Sequence, residues 1–379
     1  MLKKIIAGLG VSLVAATLAY AQNAPQGDGA APAGRAGRAA GGAAAAGGAP
    51  RVQKLPTVEQ WANMGPKAKA YVAKAAALAG NDADLKFDMG VFCQASGGAG
   101  NPDRANIGVP VGAPYPAWGA PSPAQRLPAQ HLFDNFWWLG DTGVGSWLIT
   151  SNDGYILFDA SNNAEEAKEV IVDAMTKVGL DPKKIKYAVY GHFHGDHTGG
   201  GHLIQTISGA KNIMGRDDWE LYLKMFDSPN NRLDDKTPMS RDIDATDGMK
   251  ITVGDVTATI FEMTGHTPGS IGMVTPIKWK GQTHNILLIT AGSDVGNREA
   301  FVGGYEHIFD EGIKMKAESV MQVHPNTNMN LLARVKYVND NFAKLGANQN
   351  PLLYGPDRTA RYLNIVRNCT LARMDILGW

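Results

Sequence analysis

Cysteine is almost missing from this chain: there are two, Cys93 and Cys369, in 379 residues. Thiols this sparse cannot build a metal site, so any metal must be held by nitrogen and oxygen. In an oxidising compartment the two could pair, and the alternative is two buried free thiols. An excess of charge is missing as well. Thirty-six basic residues offset 36 acidic ones, which excludes whole-molecule steering toward nucleic acid or an anionic membrane and suits a neutral small-molecule substrate. Long apolar runs are also scarce. The run over 5–18, behind Lys3 and Lys4, is shorter than the ~20 residues that span a bilayer. Followed by Ala19-Tyr20-Ala21, it reads as a signal peptide, 1–21, cut before Gln22. The expected location is therefore periplasmic or secreted, with no stable membrane insertion after cleavage.

What is present falls into three further stretches. Residues 22–53 are mostly Ala, Gly, Pro and Arg, too poor in bulky apolar surface to offset the entropy of ordering, and read as a flexible linker. Residues 54–130 form an N-terminal helical and irregular extension. Thr57 offers an N-cap, 67–79 is rich in helix formers, and 90–125 is rich in Gly, Pro and Ala. From 131 to 379 the pattern is that of one domain. Strands are expected around 146–150 and 155–159, joined across the Asp153-Gly154 turn. Apolar positions at Ala167, Val170, Ile171, Ala174 and Met175 predict a helix that stops at Gly179. A buried strand follows at 186–190. Strand and helix signals then alternate, with helices expected from about Phe309, from Asn330 and over 357–372.

The strand at 186–190 delivers His192-Phe193-His194-Gly195-Asp196-His197. Three imidazoles and a carboxylate within six residues are hard to justify as packing. Imidazole and carboxylate suit Zn²⁺, and a loop at a strand end lets residues at i, i+2, i+4 and i+5 face one cavity, which neither a helix nor a strand allows. This H-x-H-x-D-H run after a buried strand resembles the signature of the metallo-β-lactamase superfamily, over about 132–372. The resemblance implies a mixed α/β (α+β) fold, a four-layer αββα sandwich, and two zinc ions. It implies that His192, His194 and His266 hold one zinc. His266 lies in Gly265-His266-Thr267-Pro268-Gly269-Ser270, similar to the family's G-H-T-x-G-S loop. Asp196, His197 and a final histidine are implied for the other. His324, after the apolar run 319–323, is assigned to that place, with His307 as the fallback. His131, His202 and His284 have no ligand spacing and are expected to be structural.

The resemblance further implies hydrolysis of an amide or ester by water activated at the metals, with Asp196 orienting that water as the catalytic carboxylate. Asp159, at a strand end, is either the partner that fixes a histidine tautomer or a helix cap. Substrate choice turns on Thr290-Ala291-Gly292-Ser293-Asp294. Read at Ser293, the stretch is similar to the third subclass of metallo-β-lactamases, in which a serine contacts a β-lactam. Read at Asp294, it would supply the bridging carboxylate of a lactonase-like or glyoxalase-like site. Trp137, with Trp138 and Trp147, is either core or a substrate-binding wall at the cleft mouth. The segment 216–247 is polar and long enough to form a lid. The expected partner is thus a small molecule, a β-lactam or a lactone. A non-catalytic zinc-binding domain is the third reading, and a ligand set that leaves a water position open argues against it.

Overall fold

The computed structural model describes residues 56–93, 125–227, 236–290, 298–325 and 331–379. The expected signal peptide, the 22–53 linker, most of the 90–125 stretch, Ser293 and Asp294 lie outside the described residues.

Twelve strands are found among the described residues: β1 (Gln130–Phe133), β2 (Phe136–Gly140), β3 (Gly145–Thr150), β4 (Tyr155–Phe158), β5 (Ile185–Val189), β6 (Lys211–Gly215), β7 (Ile243–Ala245), β8 (Met249–Val253), β9 (Val256–Glu262), β10 (Ile271–Trp279), β11 (Gln282–Ile289) and β12 (Ser319–Gln322). The first seven make one sheet in sequence order, and the rest make a second in the order β12-β11-β10-β9-β8. Tight turns explain why β1 to β4 pair antiparallel. Between β3 and β4 the turn is closed by Ser151 and Gly154, and Gly154 has φ +154°. From β4 to β7 the strands are parallel, as connections carrying helices require.

Each sheet is apolar on both faces, and each face meets a different partner. Phe136, Trp138, Trp147, Phe158, Ile260, Met273 and Leu288 fill the space between the sheets. Fully burying such a side chain contributes about 1.5–3 kcal/mol. Their neighbours on the opposite face, Leu139, Leu148 and Leu157, pack with Ile171, Met175, Ile204 and Trp219 from the helices outside the first sheet. Outside the second sheet, Val274, Leu287 and Ile289 meet Phe301, Phe309, Tyr362 and Ile365. The result is the expected helix–sheet–sheet–helix sandwich.

The extension shares that last core. Thr57 caps Val58–Ala62 with a capping box closed by Gln60, as its position in the sequence predicts. Pro66–Ala79 and a further helix, Ala83–Phe92, contribute Ala75, Ala79, Leu85 and Phe92 to the outer layer. A disulfide joins Cys93 to Cys369 in the long C-terminal helix Pro356–Leu377. Arg358 adds charged bonds from that helix to Asp82 at 2.7 Å and Asp84 at 2.7 Å. The described part of the expected lid is no lid. Arg216–Asp227 is a helix whose Trp219 and Tyr222 are buried on the first sheet, and the Trp219 indole donates to the Ile243 carbonyl at 3.0 Å. No helix among the described residues is long and apolar enough to cross a membrane.

Candidate metal centre

The ends of β4, β5, β9 and β12, with the β2–β3 turn, carry the loops that meet at one edge of the sandwich. After β4, Asp159 takes φ +64°, a left-handed conformation that Asp and Asn tolerate better than most residues. That twist turns its buried carboxylate toward the next loop. Oδ1 accepts the Gly191 N–H at 2.8 Å and Oδ2 accepts His197 Nδ1–H at 2.8 Å. Gly191 has to be glycine. A Cβ there would lie 1.6 Å from the Thr290 methyl, and this close crossing lets the loop run on to His192.

Two donor groups result. His192 Nε2 and His194 Nδ1 are 3.0 Å apart, and His194 Nδ1 and His266 Nε2 are 3.3 Å apart. Asp196 Oδ2 lies 3.3 Å from His197 Nε2 and 3.4 Å from His324 Nε2. A tetrahedral zinc with bonds of about 2.05 Å has donor–donor edges of about 3.3 Å, and these four distances are of that length. Outer partners fix which nitrogens face inward. His324 Nδ1–H donates to the Gly143 carbonyl at 3.0 Å and His197 Nδ1–H to Asp159, so both direct Nε2 at the Asp196 carboxylate. On the far side of the first group, His192 Nδ1 meets Thr290 Oγ1 at 3.1 Å. Lone pairs facing a carboxylate repel unless a proton or a cation lies among them.

The electrostatics divide accordingly. Burial and the neighbouring imidazoles hold His192 well below the usual histidine range, and burial with the charge of His266 pushes His194 down to about 3. These imidazoles are neutral and ready to coordinate. Burial also disfavours a charged His197, but the carboxylates of Asp196 and Asp159 outweigh it and lift its pKa to about 10. Against the cost of burial, His197 and His324 hold the Asp196 carboxyl well below the usual carboxylate range. The His197 proton occupies the place a second cation would take. The donors fall into two groups that could hold a metal ion, His192 with His194 and His266, and Asp196 with His197 and His192, and His324 approaches the second through Asp196.

The structure therefore brings together all six residues expected as ligands, and Asp159 is the tautomer-fixing partner. The fallback His307 is elsewhere, with Nε2 2.8 Å from Asp247 on the helix Glu306–Lys314. His131 is sandwiched between Trp137 and Phe342, each 3.8 Å from centroid to centroid, and His284 pairs with Glu318. His202 lies on Gly201–Ser208. Trp137 meets His131 rather than any of the clustered histidines. It packs against the helix-facing core with Leu148 as its strand partner, while Trp138 and Trp147 are buried between the sheets. Adjacent strand residues face opposite ways, so Trp137 and Trp138 cannot line one wall. Three supporting groups carry no sequence signal: Thr290, the Gly143 carbonyl, and Asp141, whose Oδ1 accepts the Gly143 and Val144 N–H groups at 2.6 and 2.8 Å.

Residues 139–278 match the model of the metallo-beta-lactamase superfamily. Among solved structures the chain is similar to the Rm3 metallo-beta-lactamase, with 22% identity, a TM-score of 0.54, and 67% of this chain and 96% of that one covered. It is similar to BJP-1, a subclass B3 metallo-beta-lactamase of Bradyrhizobium japonicum, at 24% identity, 63% and 90% coverage and a TM-score of 0.50. It is also similar to the FEZ-1 metallo-beta-lactamase from Legionella gormanii, at 20%, with 65% and 95% covered and a TM-score of 0.54. These likenesses speak for the fold, and the matched family speaks for the loops that carry five of the six donors. Residues 139–278 thus match a metallo-beta-lactamase superfamily domain, and that match together with the clustered histidines supports a metallohydrolase.

Proposed function

We propose that the protein is an exported, dinuclear zinc hydrolase that opens the amide of a β-lactam. The observation that carries the zinc and hydrolase parts is the pair of donor groups at zinc spacing with one open side. His192 and His197 are each 1% exposed, whereas the Asp196 and His324 side chains are 31% and 32% exposed. Substrate therefore approaches over Asp196 and His324. When bound, two zinc ions supply Lewis acidity and a water that ionises near pH 7. The chain's own groups do the rest. Asp159 and Gly143 hold His197 and His324 in the tautomers that leave Nε2 free, and Asp196, ionised and partly exposed, orients water.

The β-lactam part rests on two supports. Solved structures similar to this chain are metallo-beta-lactamases, subclass B3 among them. Both cysteines are joined in a disulfide in the outer helical layer, so the site has nitrogen and carboxylate donors without thiolate, as the resemblance to the third subclass implies. The same disulfide suits an oxidising compartment and so supports export. The test is a panel of penicillins, carbapenems and acyl lactones offered to zinc-loaded protein with and without chelator. Chelator-sensitive β-lactam turnover is expected. Lactone turnover with no β-lactam turnover would replace this substrate with the ester reading, in which Asp294 takes the place given to Ser293.

A further inference from the structure

Asp218 is buried with no exposed surface, yet it follows β6 by three residues, on a helix that supplies no metal donor. Its carboxylate spans the two loops of the first donor group. Oδ2 accepts the Phe193 N–H at 3.0 Å and the Thr267 hydroxyl at 2.6 Å, and Oδ1 accepts the Gly269 N–H at 2.8 Å. Phe193 is the residue between His192 and His194. Thr267 is the residue after His266. The loops reach the carboxylate because glycines let backbone pass backbone: a Cβ on Gly215 would lie 2.0 Å from the Gly269 carbonyl oxygen, and one on Gly269 would lie 2.5 Å from the Asp218 nitrogen.

We propose that Asp218 is a positioning residue for one metal only, a clamp that holds the His192–His194 loop and the His266 loop at the spacing the first ion requires. This rests on the reading of those histidines as ligands. A carboxylate suits the task because all three groups facing it are donors, and it offers only acceptors. Asparagine cannot replace it. Turned to keep the Phe193 and Thr267 bonds, the amide sets its NH₂ against the Gly269 N–H; turned the other way, it sets NH₂ against the Phe193 N–H, so at least one backbone bond is replaced by a contact between two donors. None of the three bonds touches Asp196, His197 or His324, so the effect belongs to one ion.

The experiment compares the full-length wild type with D218N, T267V, T267S and D242N, each stripped and titrated with Zn²⁺ against a chromophoric chelator, then reloaded with Co²⁺ for visible spectra. Asp242 is the control, since it too is a multiply bonded carboxylate beside β6, accepting the Asn212 N–H at 3.0 Å, but it holds neither ligand loop. D218N is expected to weaken one of the two equivalents by about 10- to 100-fold and to change the Co²⁺ spectrum. The other equivalent should stay within about twofold, as should both in D242N, since no bond to their donors is removed. T267V should weaken the same equivalent by about tenfold, and T267S should restore it, because the hydroxyl, with its bonds to Asp218 and to Ser270 in the same His266 loop, is lost and regained. If D218N does not fold by far-UV circular dichroism, the T267V and T267S pair decides. Unchanged or equal weakening of both equivalents in D218N overturns the clamp, as does wild-type affinity in T267V. A wild type that binds no zinc would instead overturn the ligand reading, and the clamp with it.

Discussion

Replacing Asp159 with Asn isolates what one buried charge does for the second metal group. The backbone should accept the change, because φ +64° is a conformation Asn adopts readily. The amide oxygen can still accept the Gly191 N–H that now pairs at 2.8 Å. What changes is the 2.8 Å bond to His197. The amide NH₂ would face Nδ1, which then has to be the acceptor. The imidazole proton moves to Nε2 and points at Asp196, where a metal should sit. A hydrogen bond to a charged group contributes about 1.5–3 kcal/mol, and about 1.4 kcal/mol is tenfold, so zinc affinity at this group should fall by roughly 10- to 150-fold. Affinity at His192, His194 and His266 should hold, because His192 is oriented by Thr290 instead. Competition titration of D159N against wild type, with stepwise constants, reads both. Equal weakening of the two equivalents, or no weakening, would refute the reasoning.

The charge asymmetry predicts a proton count. With His197 held protonated up to about 10 and His194 down at about 3, zinc should displace about one proton at the Asp196 group near pH 7 and none at the other. One affinity should then rise about tenfold per pH unit toward pH 9, and the other should stay flat; calorimetry in buffers of different ionisation enthalpy counts the protons, and zero for both would contradict it. Because the folded pKa of His197 is raised while those of His192 and His194 are lowered, metal-free protein should be most stable near pH 6.5, losing stability toward pH 10 as His197 deprotonates and toward acid as His192 and His194 take up protons only on unfolding, seen in urea midpoints. His324→Ala should lower bound zinc from two equivalents to about one, whereas His307→Ala, which touches only the Asp247 pair, should leave two. The double substitution of Cys93 and Cys369 by Ser removes a crosslink between residues 276 apart and should cost about 2–5 kcal/mol of stability, with zinc content unchanged.

The legible part of the site was the part that is local in sequence. Four donors lie within six residues, so their spacing exposed them, and His266 was legible through the resemblance of its loop to the family's G-H-T-x-G-S stretch. Asp159 was only half legible, because a carboxylate at a strand end serves a tautomer or a cap equally well until the fold sets it against His197. Asp218 was illegible. In Arg216-Asp217-Asp218 it reads as one of two acids at a helix start, and its bonds run to residues 25 and 51 positions away. Trp137, read as either core or a substrate-binding wall, was hard to place for a different reason. Grouped with Trp138 and Trp147 it suggested an aromatic wall, but alternation along β2 sends neighbours to opposite faces, and His131 covers its ring. The helix Ala83–Phe92 was obscured by the Gly and Pro content that follows it, although Asp82 accepts the Asp84 and Leu85 N–H groups as its N-cap.

The central claim is that two ions sit in two separable groups of this chain's donors. Diffraction from zinc-loaded crystals above and below the zinc absorption edge tests it most directly. The account predicts two anomalous peaks, one bounded by His192, His194 and His266 and the other by Asp196, His197 and His324. A single peak in saturating zinc, or a second peak at His307 and Asp247, would contradict it.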